Sequence, residues 1–159
     1  MLFPANTELE DALKFSRFDV FHVLSTSSKH DFELENKTWL SAEHYYQASK
    51  FPDSAYGHRI ALAGSPQEAH KLGNAWFKRK RPDFKKVRLA LMTRALYSKA
   101  IQNEEVKAYL LDTGDQKLIE ISQFDHYWGV GRDQRGENKL GKIWMDIRKR
   151  LKNKEQESS

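Results

Sequence analysis

The clearest pattern lies near the C-terminal end of the chain. From Asn138 onward, Leu140, Ile143, Trp144, Ile147 and Leu151 recur at intervals of three and four, which puts them on one stripe of a helix that Asn138 starts. Beyond Leu151 the text turns polar, and residues 152–159 are expected to form a disordered tail. Upstream, local start and stop signals predict more helices. Ser41 is placed to cap a helix running to about Phe51, where Pro52 stops it. A second helix is expected over residues 55–63. In Gly64-Ser65-Pro66-Gln67-Glu68, Ser65 caps, Pro66 takes the first helical position, Glu68 completes a capping box and Gly73 ends the helix. Asp83 is read as the cap of a long helix with Phe84, Val87, Leu91 and Ala95 on one face, and Asn103 as the cap of another that Gly114 closes.

Between Phe18 and Leu40 the pattern changes to aromatic and β-branched residues broken by polar turns. Phe32 and Leu34 alternate with Glu33 and Glu35, and Asn36-Lys37 reads as the turn of a hairpin into Thr38-Trp39. Leu118 to Ile121 has the look of one further short strand. Thr7 with Glu10 could form a capping box opening a short helix through Leu9 and Leu13. The expected fold is therefore mainly α, an α-rich α+β arrangement: one compact helical domain over residues 1–151 with a short β-hairpin region near its N-terminus. A chain of 159 residues is large enough to bury such a core without staples.

Composition narrows the chemistry. The chain has no cysteine, which excludes disulfides, thiolate zinc sites and a cysteine nucleophile. Its six histidines, at 22, 30, 44, 58, 70 and 126, form no doublet of metal-ligand spacing, so neither a metal nor a cofactor is expected. There is no Gly-x-Ser-x-Gly elbow and no Gly-Lys-Ser/Thr loop. Gly129-x-Gly131 resembles a fragment of a dinucleotide fingerprint but lacks a surrounding βαβ unit. No apolar run approaches the roughly 20 residues of a membrane span, and the N-terminus lacks the basic stretch and apolar core of a signal peptide. A cytoplasmic protein with no membrane partner is expected, and no feature of the chain sets an oligomeric state.

The net charge of +5 comes from 27 basic and 22 acidic residues, so the excess matters only where it clusters. One cluster is Lys78-Arg79-Lys80-Arg81 with Lys85, Lys86 and Arg88; the other is Arg148-Lys149-Arg150 with Lys152 and Lys154. Both suit phosphates or nucleic acid, and both also fit a solvated helix face.

Two groups of residues can carry chemistry. In the helix from Ser41, Glu43, Gln47 and Lys50 are spaced by four and three and share one face. Glu43 also lies in the first turn, where unpaired amide groups favour a carboxylate anion over a proton donor. The same spacing fits an ordinary helix-start carboxylate beside a solvated lysine. The second group is the long aromatic loop between Ile121 and Asn138, where Asp125 stands close to the ring faces of Tyr127 and Trp128. Long loops in compact domains are often functional, and ring faces stack on heterocyclic bases; core packing and a turn role for Asp125 are the simpler alternatives.

Taken in order, these blocks resemble the NADAR (YbiA-like) family. The resemblance spans residues 24–151 and rests on Trp39-Leu-Ser-Ala-Glu43-His-Tyr-Tyr-Gln-Ala-Ser-Lys-Phe51, Ser65-Pro66 with Leu72-Gly73, Arg81-Pro-Asp83-Phe84, Leu110-Leu-Asp-Thr-Gly114, Asp125-His-Tyr-Trp-Gly129 and Asn138-Lys-Leu-Gly-Lys-Ile-Trp-Met145. Two segments depart from it. Leu24-Ser25-Thr26-Ser27 stands where the family tends to carry Leu-Ser-Asn-Phe, and Phe84 stands where it tends to carry Trp.

The resemblance implies a hydrolase acting on an N-glycosyl bond of a small ribose-phosphate substrate, with phosphoribosylamino-pyrimidine intermediates of riboflavin biosynthesis as the substrate class. Its alternatives are removal of ADP-ribose from nucleobases such as guanine in nucleic acid, and a non-catalytic domain that binds ADP-ribose or NAD. Cleavage places positive charge on the ribose, which a carboxylate stabilises while water attacks. Glu43 is the candidate for that anion and for orienting water. Asp125 assists as acid/base or binds ribose hydroxyls, and the two carboxylates could exchange roles. Trp128 and Phe84 hold the heterocycle, Lys50 and Arg81 hold phosphate, and Asn138 either caps its helix or touches substrate.

Overall fold

A computed structural model of the chain describes residues 7–158, and its fold is α-rich α+β. The elements in order are α1 (Thr7–Glu10), β1 (Leu13–Phe15), β2 (Phe32–Leu34), β3 (Lys37–Trp39), α2 (Ala42–Ala48), α3 (Ala55–Ala61), α4 (Pro66–Gly73), α5 (Phe84–Gln102), α6 (Glu104–Asp112), β4 (Leu118–Glu120) and α7 (Lys139–Glu157). They divide into two compact units, residues 18–107 and the remainder, with the boundary inside α6.

In the unit of residues 18–107, α2 is the central element and packs against α3, α4 and α5. Its short length follows from local chemistry: the Ser41 hydroxyl accepts from the His44 N–H to open it, and the Ser49 N–H bonds back to the carbonyl of Tyr45 to close it. The helix ends at Ala48, three residues before the expected Phe51, because residues 49–51 wind into a tight turn ahead of Pro52. Every residue of α2 is buried. That is why its polar face must find partners inside the protein.

Other caps differ from the sequence reading in instructive ways. Ser65 accepts from the Glu68 N–H as expected, but the Glu68 carboxylate reaches one residue further back, to the N–H of Gly64 at 2.8 Å. Asp83 precedes α5 without capping it, because the Arg81 guanidinium takes both carboxylate oxygens at 2.6 and 2.8 Å. The Asn103 amide donates to the carbonyls of Asp31 and Lys99. The hairpin pairs Phe32 with Trp39 and Leu34 with Lys37. Its turn is Glu35-Asn36, one residue before the expected pair, with both residues at positive φ (56° and 63°). That conformation marks a type I′ connection.

In the other unit, β1 and β4 form a two-stranded parallel sheet with Leu13 opposite Leu118 and Phe15 opposite Glu120. Leu13 therefore starts a strand and lies outside the helix expected to run through it; α1 ends at Glu10. The Thr7 side chain, and so its capping role, lies outside the described residues. α7 packs on β4 through the stripe read from sequence, with Leu140, Ile143, Trp144, Ile147 and Leu151 all buried. Each such side chain contributes roughly 1.5–3 kcal/mol on burial, which outweighs the ~1 kcal/mol of a side-chain N-cap. Asn138 indeed makes none: it sits at φ 50° in the left-handed region. The tail expected to be disordered is helical to Glu157, and Lys152 is tied to the Gly114 carbonyl at 2.6 Å and to Asp115 at 3.0 Å.

Candidate active site

The polar stripe of α2 holds a buried carboxylate surrounded by donors. Glu43 has no exposed surface (0%). Its Oε2 accepts the Thr26 hydroxyl at 2.5 Å. Its Oε1 accepts from Gln47 Nε2 at 2.7 Å and faces His70 Nδ1 at 3.1 Å. The Thr26 carbonyl also accepts the Glu43 N–H at 2.9 Å, so residue 26 grips residue 43 by backbone and side chain together. The loop that carries Thr26 is fixed from beneath by Lys99, fully buried, whose Nζ donates to Val23 O, Ser25 O and Ser28 Oγ, each at 2.7 Å.

Gly73 makes the third contact possible. A Cβ at that position would overlap the Gln47 amide and lie 2.8 Å from the Gln47 Cβ. Without it, α4 approaches α2 closely enough to bring His70, one turn earlier, onto Glu43. Phe18 meets the His70 ring edge-on at 5.0 Å, and the Asn74 amide donates to the His70 carbonyl at 2.7 Å. His70 and Thr26 are the residues that sequence reasoning missed. In the sequence His70 is one of six scattered histidines, and Thr26 is visible only as a departure from the family pattern.

Lys50 continues the Glu43 face. It is nearly buried, with Nζ donating to Asn74 Oδ1 at 3.2 Å and to the Gly73 carbonyl at 3.4 Å. The ammonium also lies 5.6 and 5.5 Å from the ring centroids of Tyr46 and Phe84. Phe84 is buried against Tyr46, and the Lys80 ammonium lies 5.6 Å from its ring centroid. Its ring thus belongs to the wall around Lys50.

Arg81, grouped with Lys50 from sequence, points elsewhere. The two are joined through the backbone, where the Arg81 N–H donates to the Lys50 carbonyl at 2.8 Å. The Arg81 guanidinium, however, is taken up by Asp83, and Arg81 lines a cavity of about 690 Å³ together with Tyr45, Ser49, Glu35 and Arg94, a lining that does not include Glu43 or Lys50. In that cavity, burial and then the Glu35 carboxylate push the Tyr45 hydroxyl up to about 12. It is a donor, and Glu35 accepts from it at 2.8 Å.

The second unit holds Asp125, Trp128 and Asn138. Asp125 Oδ1 accepts the N–H groups of Tyr127 and Trp128 at 3.1 and 2.7 Å, and Oδ2 lies 3.4 Å from Arg17. The turn role considered from sequence is thus present, and it draws on the carboxylate's lone pairs. Trp128 is buried against Tyr127, with the Arg17 guanidinium 6.0 Å from its ring centroid. Asn138 does not cap α7. Its amide splices the helix to β4, accepting from the Glu120 N–H at 2.9 Å and donating to the Leu118 carbonyl at 3.0 Å. Both ends of the side chain are thereby committed to backbone. Glu120 is a further buried carboxylate that the sequence did not single out. It accepts from the N–H groups of Arg17 and Ser122 and from the Ser122 hydroxyl, and a Cβ at Gly129 would overlap it. Among the described residues no cluster of His, Cys, Asp or Glu could hold a metal ion, and no helix is long and apolar enough to cross a membrane.

Comparison with known proteins gives one answer. The NADAR domain family matches residues 3–152, across both units. N-glycosidase YbiA of Escherichia coli (strain K12) is 35% identical over 137 residues, covering 86% of each chain. N-glycosidase Npun_R5314 of Nostoc punctiforme is 36% identical over 136 residues, or 84% of this chain and 87% of that one. Riboflavin biosynthesis protein VVA0006 of Vibrio vulnificus is 37% identical over 113 residues, or 71% of this chain and 31% of the larger protein. The NMR structure of E. coli YbiA superposes with a TM-score of 0.82 at 34% identity, covering 92% of this chain and 89% of that one. A match over nearly the whole length, in sequence and in fold, means that this chain belongs to the NADAR family.

Proposed function

We propose that the chain is an N-glycosidase that hydrolyses the bond between C1′ of a ribose phosphate and the nitrogen of a pyrimidine or amine, with phosphoribosylamino-pyrimidines as the substrate class. The observation that carries this reading is the fully buried Glu43 carboxylate, held by Thr26, Gln47 and His70 at the first turn of α2. Departure of the base leaves an oxocarbenium-like ribose, and a fixed anion in a water-poor site stabilises that charge far better than water does. The donors hold both oxygens in place, so little reorganisation accompanies the reaction. The relatives named N-glycosidase and riboflavin biosynthesis protein support the bond type and the substrate class.

Lys50 lies on the same face, one turn beyond Gln47, and is the cation nearest in sequence to Glu43 on that face. In this reading it meets the substrate phosphate, exchanging its Asn74 and Gly73 contacts for phosphate oxygens. The test is release of ribose 5-phosphate from a phosphoribosylamino-pyrimidine by the wild type and by Glu43→Gln. Wild-type turnover with a loss of about 100-fold or more in the variant is expected, the range seen when a preorganised charge-stabilising group is removed. Full activity in Glu43→Gln would sink the assignment.

A further inference from the structure

Resting on the N-glycosidase reading, we infer that His70 is a catalytic residue, the general acid that protonates the leaving nitrogen. An amine or pyrimidine nitrogen leaves poorly as an anion, so a proton must reach it as the bond breaks. Glu43 is badly placed to supply one, because both of its oxygens act as acceptors, Oε2 from Thr26 and Oε1 from Gln47. Asp125 is occupied in its own loop by two backbone N–H groups.

His70 has the geometry of a proton donor anchored at one end. Its Nδ1 faces Glu43 Oε1 at 3.1 Å, with the amide nitrogens of Gln47 and Asn74 at 3.2 and 3.5 Å; in the imidazolium Nδ1 carries a hydrogen, and the Glu43 carboxylate is the partner that can accept it. Its Nε2 has no hydrogen-bond partner among the described residues, and the side chain is 39% exposed while Glu43 is wholly buried. Phe18, itself 40% exposed, packs edge-on against the ring and limits its rotation. A carboxylate that orients one imidazole nitrogen while the other faces the reacting group is a recurrent arrangement for proton transfer.

The C1′–N bond breaks with its electron pair moving to nitrogen, and nitrogen takes the proton from Nε2 of the imidazolium. The ring is left neutral, with its Nδ1–H still on Glu43. Water oxygen bonds to C1′, and the water proton passes to Glu43. Loss of that proton to solvent and reprotonation of Nε2 from solvent restore the pair, so one water is consumed and no other reactant is needed.

The experiment compares two substrates: a phosphoribosylamino-pyrimidine, whose leaving nitrogen needs a proton, and 4-nitrophenyl ribofuranoside 5-phosphate, whose phenolate leaves without one. Turnover by the wild type, His70→Ala and His70→Asn is measured on both; the asparagine keeps an N–H for Glu43 and removes the proton donor. His70→Asn is expected to lose about 100-fold or more in kcat on the amine substrate and less than about threefold on the nitrophenyl substrate, whereas His70→Ala, which also withdraws a group that holds Glu43, is expected to lose activity on both and more on the amine. An equal loss on both substrates, or full rescue of the amine reaction by asparagine, would reduce His70 to a support for Glu43 and overturn the inference, with the N-glycosidase reading intact. A wild type that cleaves neither substrate would overturn both.

Discussion

Thr26 holds Glu43 twice: its carbonyl accepts the Glu43 N–H at 2.9 Å, and its hydroxyl donates to the Glu43 carboxylate at 2.5 Å. The first contact orders the opening turn of α2, and the second fixes the oxygen on which the proposed chemistry turns. Thr26 stands where the family pattern tends to have asparagine, a residue that also offers an N–H donor. The departure noted in the sequence therefore replaces one donor with another.

Thr26→Val removes the hydroxyl and keeps the shape. A hydrogen bond to a charged group contributes about 1.5–3 kcal/mol, so kcat/KM on the phosphoribosylamino-pyrimidine is expected to fall by roughly 10- to 100-fold. Thr26→Asn is expected to keep most of the activity. Steady-state kinetics of both variants checks this, and a Val variant as active as the wild type would show that the 2.5 Å contact does not matter to turnover.

Lys99 acts one step further out. Its Nζ joins Val23, Ser25 and Ser28, so it closes the loop whose middle residue is gripping Glu43. Lys99→Met preserves most of the buried volume and leaves three oxygens without their donor. Loss of a buried partner costs about 1–3 kcal/mol for each group stranded, and the variant is expected to lose roughly 3 kcal/mol or more of unfolding free energy. Urea denaturation should show a lower midpoint at an unchanged slope. A wild-type midpoint would mean that water replaces the ammonium without cost.

The parts of the fold that were legible in the sequence are those set within a few residues. The α7 stripe follows from period alone, and Ser41 and Ser65 cap as read because a hydroxyl and an N–H three residues on are brought together by the first turn itself. Asp83 and Asn138 failed as caps because each has a stronger partner, Arg81 in one case and the β4 backbone in the other. The β1–β4 pairing joins Leu13 to Leu118, and no local rule reports a parallel contact at that separation. The site divides in the same way. Glu43, Gln47 and Lys50 lie together by helical spacing, whereas His70 meets Glu43 only because Gly73 lets α4 close on α2. Arg81 parts from Lys50 because its guanidinium is held by Asp83, two residues on, whereas the Lys50 ammonium turns to Asn74 and the Gly73 carbonyl.

Acid should destabilise the protein in part through His44. The Ala63 carbonyl lies 2.9 Å from His44 Nε2 and can only accept, so Nε2 carries the hydrogen; Nδ1, at 2.7 Å from Ser41 Oγ, then accepts the hydroxyl. This is a neutral ring with both nitrogens satisfied. Burial holds its protonation below the ordinary histidine value of 6.5, against opposing pulls from the Ala63 carbonyl, Glu43 and Glu68. Above about pH 6.5 the ring is neutral in folded and unfolded chains alike, and it adds no pH dependence. Below that, the unfolded chain binds the proton first, so stability falls as pH drops and goes on falling until the folded value is reached. Each pH unit between the two values is worth about 1.4 kcal/mol. His44→Gln keeps an N–H for Ala63 and cannot titrate. Thermal midpoints at pH 7.5, 6.5, 5.5 and 5.0 should therefore fall more steeply for the wild type than for the variant, with the two curves parallel above pH 6.5. Parallel curves throughout would show that His44 takes up its proton as readily in the folded chain as in the unfolded one.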